Sequence, residues 1–425
     1  MSKITTLKEA EQALAKYYRS TSGSSRQAGY GLDTMRALMA FLGDPQNTLQ
    51  VVHIAGTSGK TSTAYYTAAL LKSAGFTVGL TVSPHVEALT DRVQMNGKPM
   101  HPKRFCADLE QFLALVEQSG LSPAYPLVLT AFALWEFARQ KVDYAVVEVG
   151  VGGLLDSTNV VDRADKFCII TDIGFDHMHL LGNTLPEIAD QKAGIIQLHN
   201  TVACYRQDDV ILDQIKKRSQ QKQADLHVIE NDAPSPEAAE LPLFQQRNFT
   251  LAKYAVSELL ARDGKELTSD MVKKAATIEV PGRMEEYRYA GKNIIFDGAH
   301  NPQKIDALMQ SVAQKYPDAK VAAVVAFIEK DNHDTLDRVE GCIKEMKPFV
   351  HSFIATQFGG EIDTPFASVS ADIVAAVAKT EHIAHVETVS DPWQALQHAL
   401  GGPESVVVVT GSFYLLNHTR TPLLG

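Results

Sequence analysis

The apolar run VVHIA breaks into Gly56-Thr57-Ser58-Gly59-Lys60-Thr61 and continues into a helix-forming stretch, TSTAYYTAALLKSAG. Strand, glycine turn and helix in that order make a phosphate site. Backbone N–H groups converge on phosphate oxygens, the helix N-terminus adds the positive end of its dipole, Lys60 reaches the β- and γ-phosphates, and the Thr61 hydroxyl is a Mg²⁺ ligand. Ile54 stands where the usual P-loop spacing asks for its first glycine, so the loop is a shortened variant. A dinucleotide site would need G-x-G-x-x-G after the first strand. The nearest string, Gly150-Val151-Gly152-Gly153-Leu154-Leu155, lacks the third glycine, which rejects an NAD-type reading.

Further polar groups stand where strands are expected to end: Ser83-Pro84-His85 after TVGLTV, Glu148 closing YAVVEVG, and Asp176-His177 after CIITDIG. In open α/β sheets ligands bind outside the carboxyl ends of the strands. Singly these are a turn, a strand-end salt bridge and a core histidine. Jointly a hydroxyl, a carboxylate and an imidazole suit Mg²⁺ beside a triphosphate. His177-Met178-His179 also invites a two-histidine metal reading, which is disfavoured because no matching carboxylate or cysteine lies nearby in sequence. Downstream, Phe296-Asp297-Gly298-Ala299-His300-Asn301-Pro302 reads as strand, turn and proline-started helix, placing Asp297 and His300 in a second domain that would close over the first.

The elements that must position these groups follow from periodicity. From Leu49 short β-branched runs alternate with helical patterns around 103–119 and 128–140, then YAVVEVG, KFCIITDIG and a helical stretch from Thr184 to Ile196. This predicts an α/β fold: a large P-loop-type N-terminal domain with a parallel sheet flanked by helices. A loop over 231–237 and a helix from Asn248 to Ala261 follow. Alternation restarts after Pro281-Gly282-Arg283, with strands near 293–296, 321–326, 349–355 and 405–410, predicting a smaller α/β C-terminal domain. The expected division is 1–279 and 280–425. The small polar residues of 21–31 read as a loop able to fold over a ligand.

The 425 residues exceed what one core usually serves. A formal charge of -10 disfavours a broad nucleic-acid or anionic-membrane surface and favours small-molecule chemistry. No apolar run is long enough to span a bilayer, and the N-terminal helix carries charge throughout, unlike a secretory signal, so a cytoplasmic protein is expected. Cys106, Cys168, Cys204 and Cys342, with no C-x-x-C pair, are expected as reduced buried thiols.

The strings GLDTMRALMAFLG, HIAGTSGKTST, VSPHVEALTDRV, VVEVGVGGLLDSTNVV, TDIGFDHMHLLGNTLPEIADQKAGII, FQQRNFTLAKYAVSELL, PGRMEEY, FDGAHNP and VVVTGSFYLL closely resemble the folylpolyglutamate synthase/dihydrofolate synthase family of the Mur ligase superfamily. The match runs nearly end to end. It implies that Thr57, Ser58, Gly59 and Lys60 hold ATP phosphates, that Thr61, Ser83, Glu148 and His177 contact Mg²⁺, and that Asn248, Arg283 and Asp297 bind the rest of ATP. His300 would sit beside the nucleotide, and Lys192 occupies the position of a lysine carried as an N6-carboxylated group. The acceptor would meet Gly31, Leu32, Tyr125, Leu155, Asp156 and Ser157.

The implied reaction is activation of a carboxylate as an acyl phosphate and its capture by L-glutamate, with a pteroate or folate as acceptor and a monomer as the acting species. Departures lie mostly on the acceptor side: Leu154 replaces an arginine and Tyr125-Pro126 a Phe-Glu pair, whereas the nucleotide side keeps Lys60 and a hydroxyl. Alternatives are the same chemistry on another carboxylate, or a non-catalytic nucleotide-binding paralogue.

Overall fold

The computed structural model describes residues 3–18, 32–230, 234–329, 334–359 and 367–424, so the expected loop over 21–31, Gly31 included, lies outside the described residues. The chain forms two compact units, one of residues 1–241 with 245–278, the other of 242–244 with 279–425.

The first unit is built on an eight-stranded sheet of β1 (Gln50–Ala55), β2 (Val78–Thr81), β3 (Gln94–Met95), β4 (Lys98–Pro99), β5 (Tyr144–Glu148), β6 (Phe167–Ile170), β7 (Thr201–Tyr205) and β8 (Asp225–Ile229), in the order β4-β3-β2-β5-β1-β6-β7-β8. From β2 to β8 every pair is parallel. The central strands β1, β2, β5 and β6 are buried along almost their whole length, which is why they read as continuous apolar runs and not as alternations. The sheet differs from the expected all-parallel form at one edge, where β3 and β4 are antiparallel. Asn96 and Gly97 connect them with φ of 51° and 73°, the left-handed pair that a two-residue hairpin turn requires.

Helices Pro102–Gln118 and Tyr125–Arg139 contribute Phe105, Phe112, Phe132 and Phe137, all fully buried, to one core cluster. Helices Leu185–Ala193 and Asp209–Gln221 supply Ile188, Ala189, Ile211 and Ile215 to another. Helix Leu185–Ala193 is shorter than the expected 184–196 stretch because Thr184 and Glu187 close a capping box at its start and Gly194 ends it. The expected 248–261 helix begins earlier, at Leu243, and ends at Arg262. All four cysteines are free and buried. Among the described residues no helix is long and apolar enough to cross a membrane.

The second unit has six strands: β9 (Glu285–Tyr289), β10 (Lys292–Asp297), β11 (Val321–Val325), β12 (Val350–Ala355), β13 (His385–Thr388) and β14 (Val406–Thr410), ordered β13-β12-β11-β14-β10-β9. Only β9 runs antiparallel, as the first arm of a hairpin. Helices Pro302–Lys315, Asp334–Met346, Ala371–Thr380 and Pro392–Gly401 accompany the parallel strands.

Candidate functional site

The sheet order explains why distant residues assemble. Strands β2, β5, β1 and β6 are consecutive neighbours, so their carboxyl ends deliver Ser83, Glu148, the glycine loop and the Thr171–His177 segment side by side.

Gly59 caps helix Lys60–Ser73 at φ 87°. The first helical bond runs from the Thr63 N–H to the Gly59 carbonyl. The N–H groups of Lys60, Thr61 and Ser62 precede that bond and lie in the first turn, where a helix offers its donors to an anion. Gly59 is required sterically as well: a Cβ there would lie 2.2 Å from Asn248 Oδ1. Thr57 and Ser58 serve differently from what their place in the motif implies, because both of their N–H groups donate to the Asp172 carbonyl, at 2.8 and 3.1 Å. The Thr57 hydroxyl donates to the Gly174 carbonyl and accepts from the Gly174 N–H, both at 3.0 Å. These bonds fasten the loop to the segment after β6.

Arg247 completes the fastening. Its guanidinium grips Asp172 through Nε at 3.0 Å and Nη2 at 2.9 Å and lies 4.0 Å over the Tyr205 ring. This fixes the first turns of helix Leu243–Arg262, which carries the neighbouring Asn248 to Gly59. Neither Asp172 nor Arg247 stood out in the sequence. Both sit inside segments singled out for other residues, and only their pairing across 75 positions reveals the role.

Two lysines converge on one carbonyl. Lys60 Nζ donates to the Gly56 carbonyl at 3.0 Å and to that of Thr57 at 3.4 Å, and Lys192 Nζ donates to the same Gly56 carbonyl at 2.8 Å. Lys192 is 2% exposed, in the last turn of helix Leu185–Ala193. Beside them the Thr61 hydroxyl donates to Glu148 Oε1 at 2.8 Å, and the Ser83 N–H donates to Glu148 Oε2 at 3.1 Å. His177, at φ 47°, starts the short helix Met178–Leu181, with Nε2 3.7 Å from Asp176 Oδ1.

Three of the four expected Mg²⁺ contacts, Thr61, Ser83 and Glu148, are thus joined by hydrogen bonds. Glu148 is 4% exposed, a buried carboxylate at the end of β5. Among the described residues no group of three or more His, Cys, Asp or Glu is placed to hold a metal ion by itself. The donor set fits Mg²⁺, which takes one or two protein oxygens plus substrate phosphates in place of a dedicated cage.

A pocket at the ends of β2 and β5 is lined by Ser83, Arg92, Pro126, Thr130, Glu148 and Ser157, among others. Asp156 also lines it, but its oxygens are taken: Oδ1 accepts the Thr158 N–H and hydroxyl at 3.0 and 2.5 Å, and Oδ2 accepts the Val151 N–H at 3.0 Å. Burial raises the Asp156 pKa against those hydrogen bonds. Thr158 in turn meets His53 Nε2 at 2.8 Å, and burial, with the Lys166 charge adding to it, holds fully buried His53 well below the usual imidazole range. His85 is pushed down to about 3, mainly by burial and then by Arg92. The other expected acceptor contacts sit elsewhere. Leu32 and Tyr125 are both 7% exposed in the core, Tyr125 stacked 4.0 Å from Tyr18, and Leu155 is 43% exposed to solvent.

In the second unit, Asp297 at the end of β10 accepts from the Met284 and Ala299 N–H groups, each at 2.8 Å. Burial raises its pKa, with the Arg283 charge opposing. Arg283 lies 4.5 Å over the Phe413 ring. His300 Nδ1 is 2.8 Å from the Gly298 carbonyl, and Nε2 is 3.3 Å from Lys304 Nζ, which together assign the proton to Nδ1. Arg283, Asp297 and His300 therefore form one neighbourhood at the head of β10.

Residues 54–259 match the Mur ligase middle domain, and residues 282–413 match the Mur ligase, glutamate ligase domain. The chain is 32% identical to the dihydrofolate synthase/folylpolyglutamate synthase of Mycobacterium tuberculosis, over 77% of this chain and 74% of that protein. It is 28% identical to the Bacillus subtilis protein of the same name, over 92% and 95%. Its structure is similar to a crystal structure of Mycobacterium tuberculosis folylpolyglutamate synthase complexed with ADP and AMPPCP, with a TM-score of 0.83, 27% identity and 98% of each chain covered.

Proposed function

The chain belongs to the folylpolyglutamate synthase/dihydrofolate synthase family, and from that premise we propose an ATP-dependent ligase that adds L-glutamate to a dihydropteroate or folate, releasing ADP and phosphate. An acceptor carboxylate oxygen attacks the γ-phosphorus; the new O–P bond forms as the bond to ADP breaks. The amino group of glutamate then attacks the acyl carbon, a C–N bond forms, phosphate leaves with the C–O bond electrons, and the amine proton passes to solvent. The observation that carries the reading is the Thr61–Glu148–Ser83 cluster beside an open helix N-terminus.

The N–H groups of Lys60, Thr61 and Ser62 hold phosphate oxygens, and Lys60 turns from the Gly56 carbonyl toward the γ-phosphate. Thr61, Ser83, Glu148 and His177 would hold Mg²⁺, which when bound would neutralise phosphoryl charge. Asn248, Arg283, Asp297 and His300 serve the nucleotide. We assign the acceptor to the pocket with Asp156 and Ser157, where Pro126, one of the departing positions, forms part of the lining.

Lys192 suits an N6-carboxylated form. A carbamate keeps one N–H for the Gly56 carbonyl while replacing a buried cation by oxygen donors. The whole reading is tested by incubating purified protein with ATP, Mg²⁺, glutamate and dihydropteroate or a reduced folate. ADP release with a glutamate-extended product by mass is expected; neither product appearing refutes it.

A further inference from the structure

We propose that Arg92 is the residue that receives the acceptor's reacting carboxylate, an inference that rests on the ligase reading and assigns a residue the motif set left without a role. Arg92 ends the 3₁₀ turn Leu89–Arg92 and lines the pocket at the ends of β2 and β5. Among the described residues lining that pocket it is the only lysine or arginine.

Among the described residues its neighbours leave it without a carboxylate partner. The adjacent Asp91 would ordinarily pair with it, but Asp91 Oδ2 accepts the N–H groups of Val86, Glu87 and Ala88 at 3.1, 2.8 and 3.4 Å. Asp91 is 7% exposed and so is held in that role. Among the described residues the one hydrogen bond of Arg92 runs from Nε to His85 Nδ1, at 3.4 Å, an imidazole nitrogen and not a carboxylate. The remaining guanidinium N–H groups form the planar fork that matches a carboxylate. The other cations of the site are engaged, Lys60 and Lys192 with the Gly56 carbonyl and Arg247 with Asp172.

The rest of the lining fits the same ligand. Pro126 and Leu129 offer apolar wall, Thr130 and Ser157 offer hydroxyls that already bond each other at 2.9 Å, and Asp156 is satisfied internally. An aryl carboxylate entering here must bring its charge toward Glu148 and the γ-phosphate, both anionic. Arg92 offsets that repulsion and orients one carboxylate oxygen while the other attacks. The turn collected by Asp91 holds Arg92 in place before the acceptor arrives.

The test compares wild type, Arg92→Ala and Arg92→Lys with two probes: dihydropteroate, and its analogue bearing hydrogen in place of the carboxyl group, measured as a competitive inhibitor. Arg92→Ala should lower kcat/KM for dihydropteroate about 100-fold, with the inhibitor constant of the neutral analogue shifting less than about threefold. Arg92→Lys should restore part of the loss, since it returns the charge without the fork. Unchanged melting temperature and AMPPCP affinity establish that each variant is folded, and Arg92→Lys carries the comparison should Arg92→Ala not fold. Retained kcat/KM, or equal losses for both probes, overturns the assignment. Wild type forming no amide from any folate defeats the ligase reading instead, while differential binding of the two probes still reports on Arg92.

Discussion

Gly59→Ala probes the nucleotide loop at its narrowest point. At φ 87° an alanine sits in left-handed backbone that costs an L-residue about 1–2 kcal/mol. Its Cβ would lie 2.2 Å from Asn248 Oδ1 and 3.1 Å from Asn248 Cγ, so the Asn248 amide must withdraw. At 6% exposure Asn248 has little room, and losing its place adds about 1 kcal/mol. The free loop escapes the strain by relaxing, whereas phosphate binding must restore the strained form. The cost therefore falls on affinity: about 2–3 kcal/mol, or roughly 30- to 150-fold weaker nucleotide binding. Calorimetric titration with AMPPCP measures it. The double variant Gly59→Ala, Asn248→Ala should lose less than the sum of the single losses, by about 1 kcal/mol, because the clash is then absent. A Gly59→Ala protein that binds AMPPCP as tightly as wild type would show that this backbone does not form the phosphate cradle.

Glu148→Gln keeps an acceptor for the Thr61 hydroxyl but removes the charge and turns an amide N–H₂ toward the Ser83 N–H; ADP release should fall at least about 100-fold, with metal-free nucleotide binding little changed. His53 is buried neutral, and its Nδ1 has no hydrogen-bond partner among the described residues. A lowered folded-state pKa gives stability present above the unfolded value near 6.5 and lost as pH falls, about 2 kcal/mol by pH 5, so His53→Gln should flatten the decline of melting temperature between pH 7 and 5. An unchanged slope would remove His53 as the cause. Stripping CO₂ and bicarbonate should depress turnover, and ¹³C-bicarbonate should restore it with a carbamate resonance absent from Lys192→Arg; activity indifferent to bicarbonate would count against carboxylated Lys192.

Much of the architecture was legible because burial on both faces turns the central strands into apolar runs such as VVHIA and YAVVE, and amphipathic stretches between them set the helices. Strands β8 and β13 were not assigned, since their mixed polar sequences, DLHVI and HVET, carry no such signal, and β7, TVACY, was passed over although it is a short buried apolar run. The antiparallel edge at β3 and β4 was not expected; it turns at Asn96-Gly97, but strands of two residues are too short for periodicity to show.

The sequence by itself determined where Gly59, Lys60, Thr61 and Glu148 stand, because a glycine turn before a helix and a carboxylate closing an apolar strand are local patterns with local causes. What the tertiary structure decided is which groups are spent and which are left. Thr57 and Ser58 lie in the loop yet give their N–H groups to Asp172. Lys192 reaches the Gly56 carbonyl across 136 positions. Asp91 turns to backbone and releases Arg92. Hydrogen-bonding capacity is finite, and how it is shared among distant segments is fixed only when the sheet order brings them together.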